Sequence, residues 1–144
     1  MQKTVFNTMK ADSELLNLLG LGNSATESDI SKRLLPTPPN RISEDAAIYF
    51  WFPATYKSFG NKQWENRPVQ FRIWAKDSSL IMQQQISDRL QELFVNVAFS
   101  IKGVNHSKFF YDGEGTIPGN IEESYGWFLD LRIQTQVKHF SEGG

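Results

Sequence analysis

The chain has no cysteine, which excludes disulfides, thiolate nucleophiles and zinc sites built on cysteine ligands. Histidine is nearly absent too. His106 and His139 are the only two, and neither has a second histidine or a carboxylate at metal-ligand spacing. No catalytic, cofactor-binding or metal-binding residue is therefore assigned, and no enzymatic activity is expected. No segment approaches the roughly 20 apolar residues of a membrane span, and the opening MQKTVFNTMK lacks the apolar core of a signal peptide. Both gaps lead to the expectation of a chain made in the cytoplasm without a membrane partner. An excess of one charge is missing as well. Fifteen Lys and Arg against sixteen Asp and Glu leave a net charge of −1, which argues against a nucleic-acid-binding surface. Lys57, Lys62, Arg67 and Arg72 do interleave with Trp64 and Trp74, a pattern that can bind single strands by stacking. The plainer reading is a strand face whose Lys and Arg stems cover aromatic rings, so no specific nucleic acid is expected.

Aromatic side chains are what the sequence has in quantity. Eleven Phe, four Trp and four Tyr occur in 144 residues, a length that suits one domain with one continuous core. In so small a domain some of these rings belong at subunit contacts, where Tyr and Trp are enriched.

The clearest pattern lies in residues 46–75, which read as one long β-hairpin about Gly60-Asn61. A two-residue turn there pairs Ile48 with Ile73, Phe50 with Phe71 and Phe52 with Val69 on one face. Ala47 with Trp74, Tyr49 with Arg72 and Trp51 with Gln70 fall on the other. A slip of one residue would exchange the faces, so the agreement of the apolar pairs supports this register. Pro53 falls opposite Pro68, and neither can donate a ladder hydrogen bond. Beyond them the expected pairs are Ala54/Arg67, Tyr56/Glu65, Lys57/Trp64 and Phe59/Lys62. This distal arm, residues 54–67, has too few apolar pairs to stand alone. Its Tyr56, Phe59, Trp64 and Arg67 are therefore expected at a subunit or partner interface, together with Tyr49, Trp51 and Arg72 of the aromatic sheet face.

Elsewhere the periodicities are helical, then extended. Residues 1–22 form a helical region in which Val5, Met9, Leu16 and Leu19 share a face, with a break at Asp12 and a second helix capped by Asp12 or Ser13. In residues 23–40, Thr26 and Asp29 make a weak capping box for a helix to about Leu35, which the run PTPPN ends. An amphipathic helix is expected over 78–95, with Met82, Ile86, Leu90, Leu93, Phe94 and Val97 inward and Gln84, Asp88, Gln91 and Glu92 outward. Residues 104–138 form a C-terminal hairpin whose last strand alternates Trp127, Leu129, Leu131, Ile133 with Phe128, Asp130, Arg132, Gln134, and 139–144 form a tail. Residues 112–124 read as a long loop. Its DGEGTIPGN stretch offers Asp112, Glu114 and Asn120 but lacks the ligand spacing of a calcium loop. Helices, a hairpin, a helix and another hairpin give an α+β domain: a mainly antiparallel sheet with helices packed on one face.

The stretch PVQFRIWAKDSSLIMQQQISDRLQELF, Pro68 to Phe94, runs from a strand with a terminal aromatic-Ala step into an amphipathic helix. With an N-terminal helix of the type KADSELL and a last strand of the form aromatic-x-Leu-x-Leu-x-Ile, it resembles the tail-completion (tail terminator) proteins of long-tailed bacteriophages. That resemblance implies a non-enzymatic virion protein at the head-tail junction, forming a homo-oligomeric, hexameric ring that stops growth of the tail tube. Its implied partners are other copies of itself, the tail-tube protein and a head-closure or connector protein. The alternatives are another neck or head-closure protein, or a small-ligand-binding α+β domain with a deep pocket at Tyr49, Trp51 and Arg72.

Overall fold

The computed structural model describes residues 2–22, 24–35, 45–52, 56–57, 64–95, 97–99 and 104–137. The Gly60-Asn61 turn, Pro53, Ala54, Phe59, the PTPPN run and the tail lie outside these residues. Two short helices open the chain, α1 (Gln2–Lys10) and α2 (Ser13–Leu18). Asp12 separates them because its carboxylate accepts the Leu15 amide at 2.8 Å, which caps α2. The Thr26–Asp29 capping box is complete, but helix α3 spans only Glu27–Ser31. It gives way to β1 (Leu34–Leu35), which pairs parallel to β2 (Ala46–Trp51).

The α+β expectation holds. Among the described residues one sheet of seven strands runs in the order β1-β2-β4-β7-β6-β5, with β3 (Tyr56–Lys57) also paired to β4 (Trp64–Ala75). The remaining strands are β5 (Ala98–Phe99), β6 (Val104–Ile121) and β7 (Ser124–Val137). All pairings except β1–β2 are antiparallel. Between β2 and β4 the register is the one the apolar alternation demands, with Ile48 opposite Ile73 and Phe50 opposite Phe71.

Three expectations are corrected. Tyr56 pairs with Asn66 and Lys57 with Glu65, one residue away from the simple hairpin count. The register shifts by one residue between the pairs Trp51/Gln70 and Tyr56/Asn66, on either side of Pro68, which has no amide proton to hold the ladder. The arm is also less free than expected. Trp64–Ala75 pairs along its whole length with Tyr125–Gln136, so Trp64 and Arg67 belong to the central strand pair. Lastly, residues 112–124 are not a loop. Strand β6 runs through them and tolerates their turn residues by register shifts at Tyr111/Gly113 and Ile117/Asn120, and the chain reverses only at Glu122-Glu123. Glu122, with φ of 54°, takes the left-handed conformation that this tight turn requires.

Helix α4 (Ile81–Phe94) covers the sheet. It is shorter than the expected 78–95 because Leu80 adopts a left-handed backbone, while Asp77 caps from a distance by accepting the Met82 amide at 3.0 Å. Ile86, Leu90 and Phe94 are fully buried against Ile48, Phe71, Ile73, Leu129 and Leu131, and Met82 and Leu93 lie at the margin of that core. Phe94 joins the sheet through ring contacts to Phe71 (5.8 Å) and Phe109 (5.0 Å). Val97, expected inward, is exposed beyond the helix end.

Candidate assembly surface

The sheet face opposite α4 is built by strict alternation. Where Ile73, Phe71 and Val69 point to the core, Trp74, Arg72, Gln70 and Pro68 of β4 point away from it. The registers of β2, β7 and β6 then assemble rows across the sheet. Ala47, Trp74, Gly126 and Ile117 form one row, and Tyr49, Arg72, Phe128 and Gly115 the next. Trp51, Gln70, Asp130 and Gly113 follow, and then Pro68, Arg132 and Phe110.

Two glycines fit this face to its rings. A Cβ on Gly126 would stand 2.8 Å from the Trp74 ring and 2.9 Å from Ile117, so the indole lies directly over the bare backbone. This explains why Trp74 is only 8% exposed on a face with no helix. Gly115 gives the same room to Phe128. Gly126→Ala is expected to push the indole outward and to cost about 1–3 kcal/mol, the usual range for overpacking. A thermal melt, together with a changed Trp emission, checks this.

Cations are held over the rings. Arg72 sits 5.5 Å from the Phe128 centroid and bonds Asp130 at 3.0 Å. Arg132 sits 5.1 Å from the Phe110 centroid, 3.5 Å from Asp112 and 3.3 Å from the Asn66 side-chain oxygen. Trp51 donates its indole N–H to Gln70 and meets Tyr49 at 6.1 Å, yet remains 40% exposed. Burial pushes the Tyr49 phenol above its ordinary value against the opposing pull of Arg72, so the hydroxyl stays protonated and able to donate.

Of the expected interface residues, Tyr49, Trp51 and Arg72 are thus neighbours on one face. Arg67 is not with them. It lies half-buried in the row of Ile133 and Phe109, on the helix side of the sheet. For Tyr56 and Trp64 the backbone alone is described, in register with Asn66 and Gln136. Phe110, Phe128, Asp130 and Arg132 complete the face. Their signal in the sequence is the same alternation that placed Leu129, Leu131 and Ile133 inward.

Two clefts, of about 330 and 220 Å³, lie in the α1–α3 region and are lined by residues such as Leu21, Gly22 and Ala25 rather than by Tyr49, Trp51 or Arg72. Among the described residues, no group of three His, Asp or Glu side chains is placed to hold a metal ion. Glu114, a candidate ligand in the sequence, is turned to the helix side. It accepts from Gln91 at 2.8 Å, Trp127 at 3.2 Å and Ser87 at 3.4 Å, and so ties the glycine-rich strand to α4.

No protein-family model matches the chain, and no curated protein matches it. Its fold is similar to that of a chain in the solved structure "Virion of native gene transfer agent (GTA) particle". The two superpose with a TM-score of 0.68 over 92% of this chain and 91% of the other, at 9% sequence identity. What the two chains share is therefore the whole fold.

Proposed function

We propose that the chain is a structural subunit of a phage-like particle, a tail-completion protein that forms a ring, ends growth of the tail tube and offers a surface for head joining. The observation that carries this reading is the sheet face opposite α4, which no described element covers. Tyr49, Trp51, Arg72 and Phe128 are gathered there, and aromatic and Arg side chains dominate protein–protein contacts once water is excluded. The fold similarity to a virion chain supports it, as does the order of elements shared with tail terminators. A neck or head-closure protein would use the same face and is the second reading.

Trp51→Ala and Trp64→Ala are expected to leave the monomer folded. Each should weaken ring formation or tail-tube binding by about tenfold or more, the scale of an interface anchor. Sedimentation of the purified variants reads the first effect. Electron microscopy of particles assembled with them reads the second, as overlong tails or tails without heads. Normal rings and normal tails from both variants would overturn the proposal.

A further inference from the structure

We infer that the sheet face opposite α4 of one copy docks on the acidic outer surface of α2 and α4 of another, so that the subunits associate head to tail. The inference rests on the reading of the chain as a self-assembling subunit and names the two surfaces that meet. The first is the cation-bearing face. Arg72, Arg132 and Lys108 stand in the rows of Phe128, Pro68 and Gln134, spread along the sheet. Among the described residues, Arg72 bonds only through Nη1, to Asp130 and to the Phe71 carbonyl, which leaves its Nε and Nη2 donors for a partner. Lys108 is exposed. Against Asp112 and Asp130 these three cations leave a net charge of +1.

The second surface lies on the other side of the same domain. On α4, Asp88 and Glu92 are exposed one turn apart, and Glu14 of α2 is exposed beside them, joined through Arg89. Asp12, Glu14 and Glu92 surround the Arg89 guanidinium, and with Asp88 on the same helix the four carboxylates leave a net charge of −3. Arg89 is enclosed by Asp12 at 2.7 Å, Glu14 at 3.1 Å and Glu92 at 2.7 Å, so it adds little positive field outward. Stacked guanidinium groups with donors to spare bind carboxylates strongly. Every copy thus carries both halves of a complementary contact on different surfaces, the condition for heterologous association into closed rings or open stacks. Pairing two sheet faces would instead bring like cations together, and would leave the acidic surface unused.

Two charge variants test this on the purified full chain. The helix variant, Gln84→Lys with Asp88→Lys, changes exposed α4 positions. The sheet variant, Gln70→Glu with Lys108→Glu, keeps an acceptor for the Trp51 indole. Thermal melting confirms that each is folded, and sedimentation velocity reads assembly. Each variant alone should lose self-association by about tenfold or more, while an equimolar mixture should regain it, because each supplies the surface the other has altered. Three results would overturn the inference: a helix variant that assembles like the parent, a mixture that stays monomeric, or a parent that is monomeric up to about millimolar concentration, where specific contacts vanish. Co-sedimentation with tail-tube protein stands apart from all three. It can succeed while this inference fails, or fail while head-to-tail association stands.

Discussion

Leu90→Ala should lower the unfolding free energy by about 2–5 kcal/mol, the range for removing a buried Leu side chain and leaving a partly relaxed cavity. Leu90 is fully buried at the middle of the stripe that α4 presents to the sheet, between Ile86 and Phe94. Its neighbours are held from several directions. Phe94 is locked between Phe71 and Phe109, and Ile48, Ile73 and Leu131 are fixed by strand pairing. A core so braced collapses poorly into a new void, which places the expected loss toward the upper part of the range. Chemical denaturation measures it. A variant that unfolds like the parent would mean that α4 does not seal the core.

Asp12→Ala is expected to cost about 2–4 kcal/mol, through two roles lost at once. The carboxylate caps α2, worth about 1 kcal/mol, and makes a two-pronged pair with Arg89 at 2.9 and 2.7 Å. Removing one member of a well-buried pair costs about 3–5 kcal/mol. That figure is discounted here because Glu14 and Glu92 still neutralise Arg89. The Arg89 hydrogen bonds hold the Asp12 carboxyl below its ordinary value, with burial opposing and the Leu15 amide helping. A lowered folded-state pKa means that the contribution is complete above the unfolded value of about 3.9 and is lost as pH falls through the folded one. The difference between parent and variant should therefore be constant near neutrality and shrink below about pH 4. A difference that grows on acidification would contradict this assignment.

The inner hairpin was legible because each apolar residue had a single register that kept it inward, and Ile48/Ile73 and Phe50/Phe71 pair as required. The break at Asp12 was legible for a similar reason, since an ionisable residue on an apolar stripe must find a partner. That the partner is Arg89, 77 residues away, was not, because ion pairing leaves no periodic trace. Strand β6 was misread as a loop because Gly113, Gly115, Pro118 and Gly119 are turn residues locally. Two of them have other reasons to be there: Gly115 makes room for a ring and Gly119 takes a positive φ of 85° beside a bulge. Gln83 gave no signal either. It is buried with Ser87 on the largely apolar inner face of α4, and its amide donates to the carbonyls of Ala75, Asp77 and Tyr125, tying the end of β4 to the start of β7. The three aromatic positions Tyr49, Trp51 and Trp74 were placed on the outer face correctly, yet the sequence could not show that Gly126 would let Trp74 lie flat.

Two of the register shifts of β6, at Tyr111/Gly113 and Ile117/Asn120, bear on unwanted strand addition. Among the described residues, β5 covers only Ser107 and Lys108 of that strand, so its margin from Phe110 to Ile121 faces outward without a neighbour. A straight margin of that length would invite strands of any other copy to add on without limit. The bulge at Tyr111/Gly113, the charge of Asp112, the missing amide proton of Pro118 and the shift before Asn120 interrupt it. Regular addition of strands along this margin is thereby disfavoured.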